Sequence, residues 1–412
     1  MIPLQDKEIL RELAKSYAEL AGNPVNRERI RRMKNINSLK PERPPVWIHE
    51  IPWHEMDING ELALRCESGE GRKMERFFRR VLLSWKYFQV DMVVEDAYYI
   101  TKAFKDSGIG LDIKEQTLAS NEANNIISHK YEDQLDTEEK VDALLLPEIE
   151  AFPDTDSKNL ELANDVLDGI LPVRLRGVCL YHAPWDRIAR YRSVQSCLED
   201  MAENPELIHK TIAKFTEIGA ARMEQMEKLG LYDYNISDLH CTPPYCEGIP
   251  ADDYDGGKVR LKDIWFRTMA QPFSSASPAM LNEYDLEYMK PLMAKCAFGY
   301  FGCCEPLDKA IPYLAKIPNM RKIGVSPWAN VRSSAEQIGG SFVLACKPNP
   351  AKVVFFDKDS VEREITETVE VCLENKCSYE FVLKDISTVG GKPENLINWV
   401  DTVTKVIDRY YK

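Results

Sequence analysis

The segment Ala297-Phe-Gly-Tyr-Phe-Gly-Cys-Cys-Glu-Pro306 ends a short apolar, aromatic run in two adjacent thiols and a carboxylate. Thiolate sulfur and carboxylate oxygen are both zinc donors, and bound zinc can activate a heteroatom for methyl or acyl transfer. Upstream, Asp238-Leu-His-Cys241 offers an imidazole and a further thiol. Zinc accepts His, Cys and carboxylate, and a catalytic site leaves one position open. The expected ligands are therefore His240 with Cys304 or Glu305, and Cys303 is the alternative thiol. Adjacent strand residues point to opposite faces, so the sequence does not fix which of Cys303 and Cys304 turns inward. The competing reading makes both of them small buried residues.

Elements able to position such groups recur along the chain. Eight runs read as strands: Val46–Ile51, Met92–Ala97, Val173–Leu180, Tyr234–Leu239, Ala297–Gly302, Lys322–Ser326, Phe342–Cys346 and Phe381–Lys384. Helical patterns lie between them, among them Met74–Trp85, Asn204–Leu229, Val361–Glu374 and Pro393–Tyr410. This alternation predicts an α/β fold, a (β/α)8 barrel, with a doubly wound open sheet as the alternative. No GxGxxG follows the first strand, which weighs against the open sheet. Residues 1–44 are expected to form a helical extension and residues 45–412 the barrel. The stretches 105–150 and Cys241–Lys262 are expected as long loops that lie over the mouth as lids.

A barrel gathers the residues just after each strand onto one face. Those groups include His49, Glu50 and Trp53, then His182, Trp185 and Asp186, then His240 and Cys241, and later Trp328 and Asp385. Each has a structural alternative. A histidine can be a hydrogen-bonded core residue, a tryptophan can be packing, and Asp186 can cap the following helix.

Composition narrows the field. The 412 residues are 44% hydrophobic and 29% charged, enough for a large core. A net charge of −13 argues against nucleic acid or an anionic membrane as partner. No apolar run approaches the ~20 residues of a membrane span, and the N-terminus has no apolar signal core. The expectation is a cytoplasmic protein whose 11 Cys are reduced thiols. The amphipathic N-terminal helices would suit a homodimer contact.

From residue 40 onward, the order of motifs resembles the uroporphyrinogen decarboxylase superfamily, most of all its corrinoid-dependent methyltransferase branch. The motifs are Arg43-Pro-Pro-Val-Trp-Ile-His49, Leu171-Pro-Val-Arg-Leu-Arg-Gly177 with Trp185-Asp186, Gln271-Pro-Phe-Ser-Ser-Ala-Ser-Pro278, Gly302-Cys-Cys-Glu-Pro306, Lys347-Pro-Asn-Pro350 and Lys384-Asp-Ile-Ser-Thr388. Two departures matter. The decarboxylase has an Arg-containing first loop, whereas this chain has His49-Glu-Ile-Pro-Trp53, so decarboxylation is not expected. Thiol-methylating members carry His-x-Cys at the fifth strand and a further Cys near the last, where this chain has Gly302-Cys-Cys304 and Asp385.

The resemblance implies the O-demethylating component. Such a methyltransferase moves a methyl group from a methoxylated, aromatic ether substrate to the Co(I) corrinoid of a small partner protein. It implies zinc on His240, Cys304, Glu305 and Cys303, and a pocket walled by Trp53, Trp185, Trp328 and His49. Asp385 or His182 would be the acid or its orienter. Asp238-Leu-His-Cys-Thr-Pro243 comes near the cobalt-binding DxHxxG pattern, but Pro243 stands where glycine is required, so the corrinoid is expected on the partner. The alternatives are methyl transfer from a methyl-corrinoid to a small acceptor, and a non-catalytic barrel that binds a small ligand.

Overall fold

The computed structural model describes residues 2–119, 127–236 and 238–411. Its centre is a curled sheet of seven parallel strands. They are β1 (Val46–Ile48), β2 (Leu180–Tyr181), β3 (Trp265–Thr268), β4 (Phe298–Phe301), β5 (Met320–Val325), β6 (Val343–Cys346) and β7 (Ser378–Leu383). The order across the sheet is β1-β7-β6-β5-β4-β3-β2. From β2 to β7 this follows the chain, as successive βα crossovers of one hand require. Val173–Arg176, just upstream of β2, pairs in parallel with Tyr98–Thr101. Among the described residues no ladder joins that pair to β1, so the hydrogen-bonded pattern does not close into the eight-stranded barrel expected from the sequence.

Three strands differ from expectation. Met92–Ala97 forms no ladder, and the strand of that region is Tyr98–Thr101, just downstream. Tyr234–Leu239 is not a strand: Ser237 lies outside the described residues, and this part of the chain contributes only an isolated bridge, Val178 to Tyr232. The place beside β4 belongs to β3, which the sequence conceals because Arg267 and Thr268 interrupt its apolar run. Burial explains how a strand tolerates that arginine: its guanidinium carbon lies 4.0 Å from the Tyr300 ring centroid and one nitrogen donates to Gly302 O at 3.0 Å.

Period-2 alternation divides the sheet's two faces. Phe301, Ile323, Leu344, Phe381 and Leu383 face the helices in the main core. The helix Glu394–Tyr410 meets them with Leu396, Trp399, Val403 and Ile407, a 3.6-residue stripe. Fully burying each such side chain contributes about 1.5–3 kcal/mol. The other, concave face carries Trp265, Tyr300 and Ala345, which pack against Ile236, Leu239 and Cys246 from the irregular segment after Tyr232. The sequence expects a strand over Tyr234–Leu239 and a lid over Cys241–Lys262; Ile236, Leu239 and Cys246 instead plug the sheet's hollow. Thr242 and Lys322 both hydrogen-bond Glu380 Oε1, at 2.6 and 2.8 Å, in a wholly buried network. Trp265 Nε1 donates to Pro244 O at 2.9 Å, and Asn37 Nδ2 donates to Tyr245 O at 2.8 Å.

The N-terminal helices Leu4–Ala21 and Val25–Asn37 form as expected, and the first packs with Gly69–Tyr87 in a core of its own. The 105–150 stretch contains the strand pair Phe104–Asp106 with Ile149–Ala151 and the hairpin Glu115–Ala119 with Ile127–Tyr131. Among the described residues no helix is long and apolar enough to cross a membrane.

Candidate metal centre

The plug and the tip of β4 meet at one point. After β4 the chain turns at Gly302, whose φ of +104° is open to glycine and not to residues with a Cβ. A Cβ here would also fall 2.4 Å from Leu307 Cδ1. The turn delivers Cys303 and Cys304. From the plug, His240 and Cys241 adopt φ of +46° and +73°, left-handed conformations that cost non-glycine residues free energy and that cluster at functional sites. A backbone hydrogen bond from Leu239 N to Thr242 O closes this turn. The result is that one donor atom each from His240, Cys241 and Cys303 lies within 4.8 Å of the others, with both cysteines buried.

These residues fit a zinc ion. One nitrogen and two sulfurs are preferred zinc donors, and three protein ligands leave a fourth position for substrate. Cys241, which the sequence reading left out of the ligand set, belongs to the group; its signal was adjacency to His240. Cys303 is the inward thiol. Cys304 Sγ lies 3.6 Å from Cys303 Sγ and 3.3 Å from Asp385 Oδ2, at the margin of the group. Glu305 is buried and engaged elsewhere: it accepts Ala270 N–H at 2.7 Å and Cys303 N–H at 2.6 Å. It therefore fixes the turn that carries Cys303.

Around the thiols the charges are arranged to hold an anionic sulfur. The neighbouring thiols, Cys241 first and then Cys304, act with the Lys347 ammonium to draw the Cys303 pKa far down, against the cost of burial. Cys241 and Cys304 move the opposite way and keep their protons, chiefly because they donate to Cys303. Lys384 Nζ lies 2.7 Å from Cys303 Sγ; burial lowers its pKa, but interaction with the neighbouring thiol pair Cys241 and Cys303, and with Asp385, outweighs that and holds it above the usual range. Lys347 donates to Cys303 O at 2.9 Å.

A carboxyl pair borders this cation. Glu50 and Asp385 follow β1 and β7 in left-handed conformations, with φ of +56° each, and Asp385 N donates to Glu50 Oε2 at 3.0 Å. Lys384 Nζ is 3.1 Å from Asp385 Oδ2. Burial and the adjacent Asp385 raise the Glu50 pKa. Asp385 falls below its usual value, since hydrogen bonding to Glu50 and the Lys384 charge outweigh burial. Of the two carboxyls, Glu50 is thus the more readily protonated. His49 Nε2 lies 2.8 Å from Asp238 Oδ2, and this pairing raises the imidazole pKa in spite of burial.

Other sequence candidates lie apart from the cluster. His182 packs against the helix Pro205–Leu229, where Gly219 leaves room for its ring; desolvation first, then Arg222 and Arg187, push its pKa to about 3. Trp185 is fully buried, donates from Nε1 to Tyr284 O at 2.9 Å and meets Phe273 edge-on, so it is core. Trp53 lies under the Arg80 guanidinium at 4.9 Å, and Trp328 is 71% exposed beyond β5. Asp186, in the first turn of Pro184–Arg192, accepts Gln271 N–H at 3.3 Å; burial and Glu305 raise its pKa to about 7.

No protein-family profile matches this chain, and no curated protein does. Among solved structures it is similar to a methyltransferase from Methanosarcina mazei, with a TM-score of 0.49 and 11% identity over 92% of this chain and 98% of that one. At that level of likeness, the functional reading rests on the site and its residues.

Proposed function

We propose that the chain is a zinc-dependent methyltransferase that takes a methyl group from a methoxylated small molecule, an aromatic ether, and passes it to the Co(I) corrinoid of a partner protein. The observation that carries this reading is the convergence of His240, Cys241 and Cys303 within 4.8 Å at a strand end. In such a transfer the O–CH3 bond breaks, the Co(I) electron pair forms the Co–CH3 bond, and the departing phenolate takes up one proton. Zinc, when bound, supplies Lewis acidity at the ether oxygen. The chain's own groups do the rest. Lys384 and Lys347 offset the charge of the cysteine sulfurs. Glu50, the more readily protonated of the carboxyl pair, stands beside Lys384 as the group that would supply the phenolate's proton, and Asp385 orients Lys384. Glu305 keeps Cys303 in place.

A second reading draws on one observation, the sulfur-rich surroundings. Two cysteine ligands with Cys304 nearby make an electron-rich centre suited to holding a substrate thiolate as methyl acceptor, from a methyl-corrinoid donor.

The test is zinc content of the wild type beside His240→Ala, Cys241→Ala and Cys303→Ala, followed by Co(I) spectra with methoxylated aromatics. One zinc per chain, lost in the three variants and retained in Cys304→Ala, is expected, with Co(I) consumed in the wild type only. Zinc retained in all three variants refutes the site. Zinc bound as expected, with Co(I) untouched by methoxylated aromatics and a methyl-corrinoid demethylated by a small thiol, selects the second reading.

A further inference from the structure

Tyr181, the last residue of β2, lies beside the metal cluster. In the parallel ladder it is level with Arg267, and Arg267 is level with Tyr300, so the three form one row on the concave face of the sheet. The preceding Leu180 is level with Phe266, and both turn the other way into the main core. Tyr300 is fully buried, with the Arg267 guanidinium over its ring. Tyr181, at the outer end of the row, is 43% exposed. Its ring meets the His240 imidazole, with centroids 5.0 Å apart and planes tilted by 34°.

Burial decides from which side a molecule can reach the cluster. Cys241 and Cys303 are wholly buried, whereas His240 and, at the margin, Cys304 keep part of their surface open. Cys304 leads on to the charged Asp385, and the imidazole leads on to the Tyr181 ring. The open side is therefore ionic at one border and aromatic at the other. None of the tryptophans expected as pocket walls takes that aromatic place, since Trp185 is core, Trp53 lies under Arg80 and Trp328 stands out beyond β5. An aromatic face left open against a candidate metal ligand is a surface for a second flat ring. Offset and edge-on ring pairs are favourable beyond the area they bury.

We propose that Tyr181 selects an aromatic substrate: the ring of the methoxylated molecule packs against the open Tyr181 ring while its ether oxygen lies at the group formed by His240, Cys241 and Cys303. This assignment rests on the methyl-transfer reading. It goes further by naming the side chain that distinguishes an aromatic ether from an alicyclic one.

The experiment is calorimetric titration of the zinc-loaded full-length protein with anisole and with cyclohexyl methyl ether, which carries the same ether group on a ring without π-electrons. The wild type is expected to bind anisole about 2- to 10-fold more tightly. Tyr181→Leu, which keeps an apolar side chain at a half-exposed position, should level the two affinities with zinc content unchanged, and Tyr181→Phe should keep the preference. In Co(I) consumption, Tyr181→Leu should raise KM for anisole by the same factor and leave kcat near that of the wild type, as for binding lost equally from ground and transition states. An anisole preference that survives in zinc-replete Tyr181→Leu overturns the assignment and leaves methyl transfer standing. Zinc lost from both variants also overturns it, because the ring would then serve the metal ligands and not the substrate. A zinc-loaded wild type that binds neither ether removes the methyl-transfer reading together with the assignment that rests on it.

Discussion

Replacing Glu380 by leucine tests the idea that the buried network under the plug positions the metal ligands. Lys322 and Glu380 side chains are 0% and 3% exposed, and their atoms meet at 2.8 Å. Removing one partner of such a pair leaves an uncompensated buried charge, which costs about 3–5 kcal/mol. Burial already lowers the Lys322 pKa and Glu380 supports it, so in Glu380→Leu the ammonium gives up its proton more readily and the loss shrinks as pH rises. The double variant Lys322→Met/Glu380→Leu should recover most of that stability, because apolar groups of similar volume often replace a buried pair at little cost. The metal site should respond differently. Thr242 loses its acceptor in both variants, and Thr242 is covalently next to Cys241. Zinc affinity should therefore fall about 10–100-fold in both, as for a lost outer-shell partner. Urea unfolding at pH 6 and 9 measures the first effect, and competition with a zinc chelator the second. A single variant within 1 kcal/mol of wild type, or a double variant with unchanged zinc affinity, would refute the reasoning.

Further outcomes follow from the same geometry. Gly324→Ala places a Cβ 2.8 Å from Gly302 O, which is backbone and cannot swing aside; it should cost about 1–3 kcal/mol and weaken zinc by shifting Cys303, both seen by denaturation and chelator competition. Glu305→Gln should keep one zinc per chain but bind it more weakly, since the carboxylate holds Cys303 N–H without lying among the ligands; outright loss of zinc would make Glu305 a ligand after all. Asp186 has a folded pKa of about 7 against 3.8, so the folded state binds the extra proton: its contribution is full below pH 3.8 and is lost as pH rises toward 7, by up to about 1.4 kcal/mol per unit. Asp186→Asn should flatten that decline in pH-dependent unfolding. His182, with a folded pKa of about 3 against 6.5, acts oppositely: its contribution is full above pH 6.5 and lost as pH falls, so His182→Gln should soften acid unfolding if the ring's packing is kept.

The strands best legible in the sequence were those whose two faces are both apolar or nearly so. β4, β5, β6 and β7 fall within a few residues of expectation, as do the helices Lys358–Glu374 and Glu394–Tyr410. β3 was hidden because its concave face carries Arg267, a residue whose acceptability depends on Tyr300 from another strand. Tyr234–Leu239 imitated a strand for the complementary reason: Ile236 and Leu239 are apolar because they fill the sheet's hollow, not because they pair with it. The site was half legible. Residue types and strand ends pointed to His240 with Cys304 or Glu305, and to Cys303 only as the alternative thiol, whereas the gathering of Cys241 and Cys303 beside His240 depends on backbone amides and left-handed turns that no spacing encodes.

The plug also sets the order in which this chain can be assembled. Its anchors join residues far apart in sequence, with Thr242 bound to Glu380 and Asn37 to Tyr245 across separations of 138 and 208 residues. Such contacts return nothing until long loops have closed, which slows folding. The hollow of the sheet, with its buried lysine and glutamate, acquires its full set of partners only when β5, β7 and the plug are together. The cysteine that follows β4 and the histidine and cysteine of the plug therefore come into register at a late step.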